Sequence, residues 1–445
     1  MTDDTQLSPA LAARLDAAID RLFPQALDVL RRMVRVNSVN PLFPGVTRSD
    51  VIGGEAASGA ILTEYLTGFG FDAEIVAPDP DRPNTVLTRA GTGGGRSMII
   101  NGHLDTVPPV RPDEWRGGDP WSAELTDDRL YGLGATDMKG GLISAALAGA
   151  ALDSLGLSLK GDLQIHAVIG EETGTADLGT DAVLAAGFTA DAAIVAEPTS
   201  VPEPLSIATV SVGNFILQIE VDGYGTHVGN RGSSIRAGGA GPAAGVNAVE
   251  KGMLVVQALQ QLEQEWGVSK RHPAFPPGVF TLTPAVFHAD SGMPSVGYLA
   301  HSAKIGVLVW YPPNETPEAI RAEIEAQVHH AAQLDLWLRD HPPRLTWESN
   351  WPVYDTPEDA PLVQRLIADR AAVLGPVPAG LRQTHGFIAS CDATFLAQRG
   401  IPVVAFGPGE LGCAHAVDEH VELSQITDAA RILARSILNW CGHAA

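Results

Sequence analysis

The chain is poor in cysteine, in positive charge and in long apolar runs, and each shortage excludes something. Three cysteines in 445 residues are too few, and odd in number, for a disulfide framework, and they suit a reducing cytoplasm. Lysine and arginine number 29 against 52 aspartates and glutamates, a formal charge of -23. That sign repels nucleic acid and anionic membrane surfaces, so neither is expected as a partner. No uninterrupted apolar stretch reaches membrane-spanning length. The start, Met1-Thr2-Asp3-Asp4, lacks the basic and apolar regions of a secretion signal. With 45% hydrophobic and 18% charged residues, the composition is that of an ordinary soluble enzyme. The expectation is a soluble cytoplasmic protein whose acidic surplus includes carboxylates that cations can neutralise.

The length predicts two domains, or one domain with a large insertion. Leu11, Leu15, Ile19 and Leu22, then Leu27, Leu30, Met33 and Val34, recur at helical spacing and predict two opening helices. A helix is expected near 54–69, strands at 71–76, 85–88 and 97–100, a helix at 139–155, a strand at 163–169, a helix at 179–186 and a strand at 191–196. Strands alternating with helices imply a layered α/β domain with a mostly parallel sheet. From about 207 the strands alternate polar and apolar, as in Phe215-Ile216-Leu217-Gln218-Ile219-Glu220-Val221. Long helices at 246–265 and 317–338 and strands near 279–287 and 303–311 complete a β-α-β-β-α-β order, that of a ferredoxin-like α+β sandwich. The α/β texture returns with a helix at 360–374, a strand at 401–406 and a closing helix at 424–440. We therefore expect a catalytic domain over 1–207 and 350–445, interrupted by an inserted domain over 208–349. No internal repeat is evident, and the only biased segment is the Gly/Ala-rich loop 237–245.

Four segments place a ligand-type residue just past an apolar strand: Ile100 to His103, Ile169 to Glu171-Glu172, Ile194 to Glu197, and Gly412 to His415 beyond strand 401–406. In open α/β sheets the ends of parallel strands are where ligand sites form. Asp105 lies two residues beyond His103, so both can address one centre; a carboxylate on the far ring nitrogen would fix the imidazole's tautomer. Asp137 stands in the glycine-rich turn Gly132-Leu133-Gly134-Ala135-Thr136-Asp137, which opens a helix. Two histidines and three or four acids suit two divalent ions about 3.5–4 Å apart that share a carboxylate. Zinc accepts such N/O ligands, and cobalt or manganese fits them too. Glu171 and Glu172 are adjacent and in extended chain cannot both face one ion, so one can coordinate while the other handles protons.

Gly102-His103-Leu104-Asp105-Thr106-Val107-Pro108, Asp137-Met138-Lys139-Gly140-Gly141, Glu171-Glu172, Glu197-Pro198-Thr199 and Ala414-His415-Ala416-Val417-Asp418-Glu419 together resemble the M20 metallopeptidases. That group includes acetylornithine deacetylase, succinyl-diaminopimelate desuccinylase, aminoacylase and glutamate carboxypeptidase. The resemblance implies that His103, Asp137 and Glu197 bind one metal and that Asp137, Glu172 and His415 bind the other. It makes Glu171 the general base acting on a metal-bridging water, and Asp105 the residue that orients His103. Asp222-Gly223-Tyr224-Gly225-Thr226-His227, followed by Gly245-Val246-Asn247, resembles the family's insert, where the histidine stabilises the oxyanion. It further implies a homodimer through the inserted lid domain, with His227 serving the partner's site.

The expected activity is hydrolysis of an amide bond, the deacylation of an N-acyl amino acid or a related small amide. The alternatives are a dipeptidase or carboxypeptidase, a hydrolytic deaminase of an aromatic amine, a cysteine-nucleophile hydrolase using Cys391, and a non-catalytic binding module on the same fold. Three departures from the family pattern bear on substrate. Cys391-Asp392-Ala393 replaces Thr-Asp-Ala, Leu308-Val309-Trp310 replaces Asp-x-Arg, and Ser295 falls where many relatives have Asn. With Trp310 and Tyr311 in the insert, they suggest a less polar or aromatic substrate. Arg382 and Arg236 are weak candidates for holding a substrate carboxylate. Cys391 and Cys413 are read as packing residues and His166 as a core residue. His288, His301, His329 and His330 have no evident partner.

Overall fold

The computed structural model describes residues 7–443 except Pro294; the acidic start Met1–Asp4 lies outside the described residues. The chain divides into two compact units, Met1–Val210 with Tyr354–Phe387 and Cys391–Ala445, and Ser211–Val353 with Ile388–Ser390.

The first unit is built on an eight-stranded sheet. Across it run Asp72–Val76, Asn84–Arg89, Leu163–Val168, Met98–His103, Ala193–Val195, Val403–Ala405, Ile207–Ser211 and Thr384–Phe387. The four central strands, from Leu163–Val168 to Val403–Ala405, are parallel, whereas Asp72–Val76, Asn84–Arg89 and Ile207–Ser211 pair antiparallel. The sheet is thus parallel at its centre and antiparallel toward its sides. Its central strands are mostly apolar and wholly buried, as expected of strands covered on both faces. Ile100 pairs with Ile165 on one side and Ile194 on the other, which aligns the carboxyl ends of three neighbouring strands.

Helices Pro9–Val34, Gly140–Ser154, Pro361–Leu374 and Leu423–Cys441 pack together. Gly140–Ser154, built from Ala, Gly, Leu and Ile, is buried from Gly140 through Leu152. Its start is pressed against the sheet, since a Cβ on Gly141 would lie 1.9 Å from the Ala196 carbonyl oxygen. Only glycine permits that approach, next to Glu197. The opening segment is one helix and not two. Ser8 caps it through the Leu11 N–H, and it runs through Pro24. Leu15, Ala18 and Ile19 before the proline and Ala26, Val29 and Leu30 after it are all buried. Packing on both sides offsets the one backbone hydrogen bond that proline removes. A three-stranded sheet of Glu124–Leu125, Arg129–Tyr131 and His420–Glu422 has strands too short for periodicity to show.

The second unit follows the β-α-β-β-α-β order: Gly213–Asp222, helix Ala248–Ser269, Thr281–Asp290, Ser302–Tyr311, helix Pro317–Leu334 and Arg344–Trp351. Its four strands are antiparallel and lie in the spatial order second, third, first, fourth, the ferredoxin-like arrangement. Phe215, Leu217, Ile219 and Val221 turn inward while Ile216 is exposed, the alternation of a sheet covered on one face. Asn247 and Thr316 cap the two helices through Val249 and Ala319 N–H groups.

Candidate metal centre

His103 ends a central strand and is almost fully buried. Its Nδ1–H donates to the backbone carbonyl of Asp105 at 2.8 Å, so Nε2 is left with its lone pair. Nε2 faces Asp137 Oδ1 at 3.0 Å and Glu171 Oε2 at 3.9 Å. An imidazole lone pair cannot face carboxylate oxygens unless a proton or a cation lies between them.

Asp137 is buried in the turn before helix Gly140–Ser154. Its second oxygen, Oδ2, is 3.4 Å from His415 Nε2, and Glu172 Oε2 is 3.1 Å from the same nitrogen. Asp137 therefore stands between the two histidines. Ligand atoms of His103, Asp137 and Glu172 lie within 4.8 Å of one another. His415 has a left-handed φ of 57°, an uncommon conformation for a non-glycine residue. Glu197, past the end of Ala193–Val195, is 3% exposed.

Burial raises the pKa values of Glu171, Glu172 and Glu197, and neighbouring carboxylates push each of them further the same way. Burial opposes protonation of His103 and His415, but the surrounding acids outweigh it. His103 rises well above the ordinary value, and His415 to about 11. For Asp137 burial works toward protonation, yet hydrogen bonding to His103 and His415 holds its carboxyl below the usual range. Two imidazoles cannot neutralise these acids together with Asp392 and Glu419. Buried anions in such excess are costly without cations, and the O/N donor set fits divalent ions.

The site differs from the sequence reading in two respects. Asp105 touches His103 through its backbone carbonyl, and its carboxylate Oδ1 is 3.9 Å from His103 Nδ1. The carboxylate instead accepts hydrogen bonds from Asn40 Nδ2 at 2.8 Å, the Gly170 N–H at 2.9 Å and the Glu172 N–H at 3.2 Å. Second, Glu171 and Glu172 do not lie in extended chain but in the short 3-10 turn Glu171–Thr173. That turn follows Gly170, whose φ of 85° demands glycine. The turn lets both side chains face the cluster, Glu171 toward His103 and Glu172 toward His415.

His227 belongs to the second unit. It is exposed, its Nδ1 accepts the Gly229 N–H at 3.1 Å, and its ring meets Tyr298 edge-on at 6.0 Å. Arg382 is tied to Glu358 and to the Thr384 carbonyl, and Arg236 is exposed. The guanidinium of Arg382 is thereby already engaged. Cys391 is fully buried, and burial followed by the charge of Glu197 raises its thiol pKa well above normal. A nucleophilic cysteine needs the opposite shift. His166 Nε2 pairs with Gln164 Oε1 at 2.9 Å inside the sheet, and burial lowers its pKa to about 3.

Two buried acids escaped the sequence reading as site residues. Glu419 accepts the backbone N–H groups of Thr136 and Asp137 at 2.9 and 3.1 Å and so holds the turn that carries Asp137. Its place in the His415-containing motif was the available signal. Asp392 accepts a hydrogen bond from Thr180, which in turn accepts one from Asn101 beside the His103 strand end.

At its strand ends the α/β sheet brings together carboxylates, the buried His103 and the more exposed His415, a donor set suited to divalent metal ions. The sequence profile of Peptidase family M20/M25/M40 matches residues 99–439. The chain belongs to that family, and it is an amide-bond hydrolase. It is 33% identical over 389 residues to the N-formyl-4-amino-5-aminomethyl-2-methylpyrimidine deformylase of Halalkalibacterium halodurans, covering 85% of this chain and 87% of that protein. Among solved structures, the di-peptidase Dug1p of Saccharomyces cerevisiae superposes with a TM-score of 0.73 at 14% identity, over 97% of this chain and 98% of that one. The YXEP protein of Bacillus subtilis, a dinuclear metal binding peptidase, gives 0.60 at 14% identity, over 94% and 98%. No helix among the described residues is long and apolar enough to cross a membrane.

Proposed function

We propose that the protein deacylates a small N-acylated amine without a carboxylate handle, and that a formyl amide on an aminomethyl-pyrimidine represents its substrate class. The observation that carries the proposal is the buried cluster of His103, Asp137 and Glu172, with Glu171 beside it. Two features favour a less polar amide over an N-acyl amino acid. Arg382 is already paired with Glu358, and Leu308-Val309-Trp310 offers no charged group where the family resemblance leads one to expect Asp-x-Arg. The relative from Halalkalibacterium halodurans is named for such a formyl amide.

In this reading His103, Asp137 and Glu197 hold one divalent ion and Asp137, Glu172 and His415 the other, zinc being the best match to the donors. When bound, the ions supply a water of lowered pKa and polarise the scissile carbonyl. Glu171 takes the proton from the attacking water and delivers it to the leaving amine. Asp105 holds the turn bearing Glu171. His227, whose Nδ1 accepts a hydrogen bond, is left with Nε2–H as a donor suited to an oxyanion.

The substrate reading is tested by assaying metal-loaded protein against the formyl pyrimidine, N-formyl and N-acetyl amino acids, and dipeptides. The expected result is the highest kcat/KM on the formyl pyrimidine with release of formate. Turnover of dipeptides alone, or release of ammonia in place of formate, contradicts it.

The second unit is proposed to pair two copies along strand Thr281–Asp290, whose Val286 and Phe287 are exposed, and to present His227 to the partner's site. An unpaired sheet edge calls for such cover. Inactive His227→Ala mixed with inactive Glu171→Gln should then regain about a quarter of wild-type activity on random subunit exchange. No gain on mixing removes the role in trans. Three free cysteines support a cytoplasmic setting.

A further inference from the structure

We infer that Asn40 is a positioning residue for the metal centre, and that it acts by clamping the turn that carries Glu171 and Glu172. Asn40 is fully buried and precedes Pro41 in a loop that follows the first helix. Its amide nitrogen donates to Asp105 Oδ2 at 2.8 Å and to Thr173 Oγ1 at 3.0 Å, which uses both of its hydrogens. Its amide oxygen accepts the Leu42 N–H at 3.0 Å. The side-chain amide is therefore satisfied on every side and has one orientation.

The backbone is equally fixed. The Asn40 N–H donates to the Thr106 carbonyl at 2.9 Å, and the Thr106 N–H donates to the Ser38 carbonyl at 3.0 Å. This short parallel bridge attaches the loop to the segment that leaves His103 and Asp105. Asn40 thus has its main chain on the His103 side of the centre and its side chain on the Glu171 side.

The turn is held at both ends. Asp105 accepts the Gly170 and Glu172 N–H groups, while Asn40 reaches Thr173 at the far end. The Thr173 hydroxyl also meets that of Thr175 at 3.1 Å. Without Asn40, Asp105 Oδ2 loses its side-chain donor, Thr173 keeps only its hydroxyl contact with Thr175, and Asp105 holds the turn through the Gly170 and Glu172 N–H groups alone. The separation of Glu171 from His103 and the aim of Glu172 at the metal then relax. Partners one shell beyond the ligands commonly change metal affinity or activity by about 10–100-fold.

This inference rests on the metal centre proposed above, and metal affinity measured on folded protein separates the two. Asn40→Leu keeps the volume and removes every hydrogen bond of the amide; Thr173→Val removes the hydroxyl arm alone, and Thr173→Ser retains it. Calorimetric titration of zinc into metal-stripped protein, with folding checked by circular dichroism, should show affinity weakened at least about tenfold in Asn40→Leu and Thr173→Val. Thr173→Ser should recover most of that loss. At saturating zinc the two weakened variants should lose kcat, with KM held within about twofold. If Asn40→Leu does not fold, the Thr173 pair decides the matter. Zinc affinity and kcat unchanged in Thr173→Val, or equally reduced in Thr173→Ser, overturns the clamp. Failure of the wild-type protein to bind zinc overturns the metal centre itself.

Discussion

The two larger sheets of this chain handle the same apolar residues in opposite ways. In the first, the central strands are buried on both faces, where side chains pack or hydrogen-bond internally, and the candidate ligands gather at the strand ends. His103, Glu171 and Glu197 each lie at or just beyond such an end. In the second, each strand has a buried and an open face, and the open face of Thr281–Asp290 carries Val286, while Phe287 turns toward helix Ala248–Ser269. A parallel sheet concentrates function at one edge of the layer, whereas an antiparallel sheet covered on one side offers a whole surface. The first is suited to a small buried centre and the second to contact with another body.

The largest effect should come from the strand ends. Glu171→Gln is expected to keep its metal while turnover falls by at least about a hundredfold, the usual worth of a positioned acid–base group. His103→Ala should instead lose metal, because His103 Nε2 faces Asp137 directly. Metal analysis beside kinetics checks both. If Glu171→Gln strips metal and Glu172→Gln does not, the roles of the pair are reversed.

The contrast between the strands themselves is next in size. Ile100→Ala, at a fully buried position between Ile165 and Ile194, should cost about 2–5 kcal/mol by denaturant melting. Val286→Thr, at a position 59% exposed, should change the folding stability of the subunit by about 0.5 kcal/mol or less. Any larger loss there should depend on protein concentration, as expected of a residue that supports pairing. Equal losses at the two positions would erase the distinction drawn between the sheets.

A smaller effect is expected from His166, held neutral in the parallel sheet. Burial lowers its pKa from 6.5 to about 3. Between those values the unfolded chain binds a proton that the folded chain does not, so stability falls as pH drops. From pH 7 to pH 5 the contribution is about 2 kcal/mol. His166→Gln should lose less stability over that window than the wild type by about this amount, read from urea midpoints at the two pH values. Parallel pH profiles would mean that His166 is protonated in the fold.

The same contrast explains what could be read without a structure. The apolar run expected as a strand at 97–100, which continues through Asn101-Gly102 to His103, and the alternating Gly213–Asp222 announce themselves by composition and period. The two apolar runs expected as separate opening helices form one, because burial on both sides of Pro24 overrules the local helix breaker. Strands of two or three residues, such as Glu124–Leu125, have no period to detect. Asn40 and Glu419 act through hydrogen bonds to residues distant in sequence, Asn40 with Asp105 and Thr173 and Glu419 with Thr136 and Asp137. Which atom of Asp105 meets His103 depends on backbone geometry that the motif does not show.

The central claim, that the strand ends of the first sheet build a two-ion centre about Asp137, is tested most directly by anomalous diffraction from crystals of zinc-loaded protein. The account predicts two peaks per chain, about 3.5–4 Å apart, with the Asp137 carboxylate between them and Glu171 coordinating neither. Absence of metal from this cluster, together with full turnover after exhaustive chelation, would contradict it.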